Sequence, residues 1–164
     1  MCIWLLRHRK KSLKSADPIT AFRSSHGMAN NASAVVDNTA LTDYFINENG
    51  VSFAGHHLLV DLWDAGQLTD IDYIEDTLRR AADAAGATVL SVHLHQFSDS
   101  GGVSGVAILA ESHISIHTWP ERDYAALDVF MCGSCNPHNA LPILKAAFSA
   151  GSVTLNETRR GVVA

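Results

Sequence analysis

Apolar positions along this chain follow two periods and break off in one long mixed stretch. Residues 56–63 (HHLLVDLW) form an apolar run with β-branched and aromatic members, which predicts a strand ended by Asp64-Ala65-Gly66. Ile71, Ile74, Leu78, Ala81, Ala82 and Ala85 then recur at three- and four-residue steps, the spacing of one helical face, with Asp76, Arg79 and Arg80 off that face. Thr69 followed by Asp72 resembles a capping box, and Gly86 is placed to stop the helix. Four short segments follow at 88–97, 103–110, 113–118 and 124–131, rich in β-branched and aromatic residues and separated mostly by turn formers. They read as strands. Asn136-Pro137 offers an N-cap and first position for a helix reaching Phe148, which Pro142 kinks or delays and Gly151 ends. Residues 152–156 read as a last strand, and residues 28–54 show only a short helix near 41–47.

Strand, helix, four strands, helix, strand, with hairpin-length links in the middle, implies antiparallel pairing with both helices on one face. The fold class is α+β, a two-layer sandwich whose other sheet face lacks a cover. A second copy packed sheet to sheet, giving a four-layer αββα homodimer, is the expected solution. Residues 1–54 read as an N-terminal extension and 55–164 as the domain.

Composition narrows the class. At 164 residues, 47% hydrophobic and 18% charged, the chain suits one globular domain. Its longest apolar runs are far too short to cross a bilayer, so no membrane role is expected. Cys2, Cys132 and Cys135 make no disulfide framework, which fits a reducing, cytoplasmic setting. Residues 1–27 hold six basic side chains and one acidic one, a +5 leader on a body of net −10. That break coincides with Met28 and suggests that translation starts there, a disordered tail being the alternative. The acidic body argues against nucleic acid, whose phosphates need clustered Lys and Arg, and suits a cationic small substrate.

The chemistry concentrates in ESHISIHTWPE, residues 111–121. The Ser112 hydroxyl follows the Glu111 carbonyl directly, and His117 is near enough in sequence to carry a proton. The chain therefore has the parts to cut itself between Glu111 and Ser112. His113, Ser115 and His117 share one strand face, a polar face on a segment expected to be central, which points to a lined site. A hydrolase using Ser112 with His117 or Ser104 stays open, although no G-x-S-x-G elbow surrounds the serine. Gly101-Gly102-Val103-Ser104-Gly105 reads as a hairpin turn, since it lacks the Lys-Ser/Thr ending of a phosphate loop. Cys132-Gly-Ser-Cys135, with His138 beyond, fits half a zinc site completed by His93 and His95, or a redox pair. Against a metal, no second ligand pair appears at matching spacing, and Cys132 at a strand end reads as a single catalytic thiol.

The stretch SGVAILAESHISIHTWPERDYAALDVFMCG, residues 104–133, closely resembles the processing and active-site core of bacterial and archaeal S-adenosylmethionine decarboxylases. The likeness runs from about Gly55 to the C-terminus. It implies a pyruvoyl-dependent lyase of polyamine biosynthesis, made as a proenzyme and supplying the aminopropyl donor for spermidine. By position, Ser112 would attack the Glu111 carbonyl and become the pyruvoyl group, which forms a Schiff base with the substrate and serves as electron sink. The resemblance makes His117 the processing base, Ser104 its hydrogen-bonding support and Cys132 the proton donor; thiols are largely protonated at neutral pH. Phe97 would stack on adenine and face the sulfonium, and Glu121 would hold the ribose hydroxyls. Relatives that decarboxylate arginine or ornithine are the alternative within the family. A Cys/His metal-binding or redox module is the alternative outside it. Cys135 has no counterpart in the motif.

Overall fold

The structure, a computed structural model, describes residues 43–163. The basic leader, the start at Met28 and the first part of the extension lie outside those residues.

The short helix expected near 41–47 is overturned where it is described. Strand β1 (Ile46–Glu48) pairs antiparallel with β2 (Val51–Phe53). Asn49-Gly50 makes the turn between them with both φ values positive, 52° and 79°. An Asn-Gly dipeptide is a strong hairpin signal, and it decides here where a three-residue strand is too short to show a period.

The main body follows the expected order. After β3 (Gly55–Trp63) come α1 (Ile71–Ala84), β4 (Thr88–Gln96), β5 (Val103–Ala110), β6 (His113–Trp119), β7 (Tyr124–Met131), α2 (Ala140–Ala147) and β8 (Ser152–Arg160). The last six strands in this series, with β3 among them, form one antiparallel sheet in the order β4-β5-β6-β7-β3-β8. Gly105 lies opposite Leu94 on β4, and a Cβ there would collide with the His93 carbonyl, so the close approach of these strands requires glycine.

Three boundaries shift for local reasons. The cap of α1 is Asp70, whose carboxylate accepts from the Tyr73 N–H at 3.1 Å, and Thr69 takes no part in it. Asn136 and Pro137 start a single 3-10 turn, 137–139, so α2 begins only at Ala140. Pro142 then falls in the first α-helical turn, where a missing N–H costs nothing. Strand β8 runs on to Arg160 although its outer part is polar, because pairing of an edge strand with β3 needs backbone groups alone.

Alternation sets the two faces of the sheet. Leu58, Val60 and Leu62 of β3, Ile114 and Ile116 of β6, and Leu127, Val129 and Met131 of β7 are buried against Ile74, Leu78, Leu144 and Phe148 of the helical layer. Each large apolar side chain so covered contributes about 1.5–3 kcal/mol. The opposite face carries His57, Asp61, His113, Ser115, His117 and Asp128. It also leaves Leu59, Trp63, Ile108 and Trp119 between 40 and 45% exposed. Both helices are on one side, as expected.

Candidate active site

Two groups of chemically capable residues sit at opposite ends of the sheet. The first is built on the β5–β6 hairpin. Leu109 and Ser112 exchange backbone hydrogen bonds (2.9 and 3.2 Å), so Ala110 and Glu111 are the two turn residues and the Glu111–Ser112 bond closes the loop. Ser112 is only 8% exposed. The end of β7 lies alongside: the Cys132 N–H donates to Ser112 Oγ at 3.3 Å, and the Cys132 thiol donates to the Glu111 carbonyl at 3.4 Å. Cys132 Sγ and Ser112 Oγ are 3.6 Å apart. A thiol donor on that carbonyl makes its carbon more electrophilic, and the hydroxyl of the next residue lies beside the same thiol.

Beside this group, on the open face, His57, His113 and Phe130 form a ring cluster with centroids 5.7–6.2 Å apart. Burial, then the neighbouring His57, lowers the His113 pKa from its ordinary value, with Asp128 acting in the opposite direction. Arg160 donates to His57 Nδ1 at 3.1 Å, which leaves the His57 Nε2 side facing Asp128 at 3.6 Å.

The second group lies at the far end. Ser104 and His117 are register partners on β5 and β6, and Ser104 Oγ meets His117 Nδ1 at 2.9 Å. Phe97, at the close of β4, is 48% exposed and meets His95 edge-on at 4.9 Å. Glu121 sits in the single turn 120–122 just past β6. Sequence reasoning missed the aromatic ledge between them. Trp63 and Tyr124 stack at 4.4 Å, Trp119 and Tyr124 at 5.3 Å, and His117 and Trp119 at 6.1 Å. The Tyr124 hydroxyl donates to Asp61 at 2.5 Å, and burial together with that carboxylate pushes its pKa up to about 12. The signal was present: Trp119 continues the 113-115-117 alternation, and Trp63 follows Asp61 on the same face.

Glu111, Ser112 and Cys132 thus come together, and Ser104 pairs with His117 at the end of the sheet that also carries Phe97 and Glu121, but the two sets do not meet within one chain. Ser112 and His117 are five residues apart in an extended strand, about 16 Å at about 3.3 Å per residue, and on opposite faces. Cys132 and Cys135 turn to different partners, the Glu111 and Gly86 carbonyls. His95 belongs to the far end, so the zinc set is not assembled. Among the described residues, no three His, Cys, Asp or Glu side chains are grouped to hold a metal, and no helix is long and apolar enough to cross a membrane.

The fold is α+β, an antiparallel sheet backed by two helices that carries a hairpin serine beside a thiol. The pattern of the S-adenosylmethionine decarboxylase family matches residues 56–161. Relatives named S-adenosylmethionine decarboxylase proenzyme include one from Acidithiobacillus ferrooxidans, 46% identical over 112 residues, covering 66% of this chain and 84% of that one. Another, from the archaeon Methanococcus aeolicus, is 43% identical over 110 residues, covering 65% and 93%. The crystal structure of the adenosylmethionine decarboxylase from Aquifex aeolicus superposes with a TM-score of 0.61 at 32% identity, covering 68% of this chain and 94% of that one. The chain belongs to the S-adenosylmethionine decarboxylase family, and its enzyme class is that of a decarboxylase.

Proposed function

We propose that the chain cuts itself between Glu111 and Ser112 and, with residue 112 converted to a pyruvoyl group, decarboxylates S-adenosylmethionine to S-adenosylmethioninamine. The observation that carries this reading is the Cys132 thiol, which donates to the Glu111 carbonyl and lies 3.6 Å from the hydroxyl of the next residue, Ser112. Attack by Ser112 Oγ on that carbonyl carbon breaks the amide C–N bond and leaves an ester, the proton passing to the freed amine. The Cys132 thiol steadies the negative charge that develops on the carbonyl oxygen. Loss of the Ser112 α-proton then expels the Glu111 carboxylate. Hydrolysis of the resulting dehydroalanine, with loss of ammonia, gives the pyruvoyl end of the fragment 112–164.

The residues fit such a group: position 112 is nearly enclosed, and the Cys132 thiol lies 3.6 Å from its side chain. A pyruvoyl carbonyl supplies the electron sink that decarboxylation of an amino acid requires. Cys132 delivers the proton that replaces the departing carboxylate.

His117, with Ser104 holding its Nδ1, is the base for processing, and it acts on the partner's hairpin. A proton carrier must come within about 3.2 Å of its target, and the separation along β6 is about five times that. Two copies packed open face to open face around a two-fold axis, as isologous dimers are, can bring opposite ends of their sheets together. Exposed Leu59, Ile108, Trp63 and Trp119 supply apolar area for that contact. Phe97 and Glu121 share the His117 end and so read the nucleoside from the partner's side. Two free cysteines among the described residues, one of them catalytic, suit a reducing cytoplasm.

Denaturing mass spectrometry of the purified protein tests the reading: a C-terminal fragment starting at a pyruvoyl-modified residue 112 is expected, and Ser112→Ala stays intact. Efficient cutting of that variant would refute the assignment. Measuring CO2 release from S-adenosylmethionine, arginine and ornithine side by side then decides the substrate.

A further inference from the structure

Cys135 is used by nothing above, yet it sits three residues from the proposed proton donor, in a turn that brings the two residues close together. The Cys135 N–H donates to the Cys132 carbonyl at 3.4 Å, and Gly133 takes a φ of 61°, which closes residues 132–135 into a β-turn. Such a turn keeps its first and fourth Cα atoms within about 7 Å. Disulfides bridge Cα atoms about 4.4–6.8 Å apart. The following residue is pinned, with the Asn136 N–H on the Ala85 carbonyl at 3.0 Å. Each thiol gives up one weak contact of 3.4 Å, Cys132 to Glu111 and Cys135 to Gly86. Both cysteines are half-buried, and Cys135 lines a solvent-open cavity of about 370 Å³ with Gly133 and Ser134, so a small reagent reaches the turn from that side.

We propose that Cys132 and Cys135 form a reversible disulfide that switches the site off, with a low-molecular-weight disulfide as oxidant. The thiolate of Cys132 attacks the reagent's S–S bond and releases one thiol, leaving a mixed disulfide. Cys135 then attacks Cys132 Sγ and releases the second thiol. Two electrons pass to the reagent, and the two protons leave with its thiols. Burial and the neighbouring Cys132 push the Cys135 thiol up, which suits it to the second, resolving step. The bridged sulfur of Cys132 has no proton to give, and the Glu111 carbonyl loses its thiol donor. The effect on turnover rests on the role assigned to Cys132 above; the disulfide itself does not.

The test treats the full-length protein with oxidised glutathione, quenches with acid, digests with trypsin without reductant and weighs peptide 123–145, which holds both cysteines. The expected peptide is lighter by two hydrogens and regains them with dithiothreitol, while CO2 release falls by about a hundredfold and recovers in parallel. Cys135→Ser should instead carry one glutathione on Cys132. A wild-type peptide that stays unmodified, or that carries glutathione on each cysteine without closing, overturns the proposal. Closure with undiminished CO2 release overturns the switch through Cys132. If the reduced protein releases no CO2, the functional reading fails, and the peptide mass alone still decides the disulfide.

Discussion

Mixing two dead variants gives the sharpest test of a shared site. Ser112→Ala lacks the nucleophile but keeps His117; His117→Ala keeps the nucleophile but lacks the base. Within one chain these residues are about 16 Å apart along β6, against the roughly 3 Å that proton transfer tolerates. In a dimer with exchanged ends, a mixed pair contains one complete site, formed by Ser112 of the His117→Ala chain and His117 of the other. It also contains one site missing both. Equal co-expression with random pairing puts about half the chains in mixed dimers, and one chain of each such pair can be cut, about a quarter of the total. Each variant alone should remain essentially uncut. The assay is denaturing mass spectrometry, and the released C-terminal fragment must carry alanine at position 117. Absence of cleavage in a co-purified mixed dimer would refute the sharing. Normal cutting of His117→Ala alone would remove His117 from the reaction.

Other outcomes follow from the same geometry. Leu78, fully buried between α1 and the sheet, should cost about 2–5 kcal/mol when changed to alanine, measured by urea unfolding of the uncut Ser112→Ala background. His113 has a lowered pKa in the fold, so the unfolded chain takes up its proton first. Its contribution is present above the ordinary histidine value of 6.5 and is lost as pH falls through the lowered one. The thermal midpoint should therefore drop as pH falls below about 6.5, and drop less in His113→Asn. Glu121→Gln and Phe97→Ala should raise KM for S-adenosylmethionine, the latter by about fivefold for a lost contact of ~1 kcal/mol, while cleavage at Ser112 proceeds. An unchanged KM in both would place the nucleoside elsewhere.

Much of the fold was legible because period and punctuation agreed. The 3.6-residue recurrence of Ile74, Leu78 and Ala81 fixed α1, and alternation through 113–119 fixed which side chains face the helices. The β1–β2 hairpin escaped because three-residue strands have no measurable period, although Asn49-Gly50 announced it. Asp70 displaced Thr69 as cap because either side chain can fill that role and only the backbone path chooses between them. The far reach of β8 follows from backbone pairing, to which a polar side-chain pattern is blind. For the site, linear proximity misled in one respect. His117 is five residues from Ser112 in sequence, and an extended strand turns that nearness into distance.

The strand order has a consequence for what cutting at the hairpin does. The fragment ending at Glu111 contributes β3, β4 and β5, and the fragment beginning at residue 112 contributes β6, β7 and β8. In the sheet, β3 of the first piece is inserted between β7 and β8 of the second. The two products are therefore woven through each other: β5 stays paired with β6, and β3 is gripped on both edges. One covalent bond would be lost and no β-ladder, so the leaving group of the proposed reaction would have nowhere to go. Cleavage here would be a chemical change of state inside a single folded body, made irreversible by the elimination that follows it and not by departure of a product.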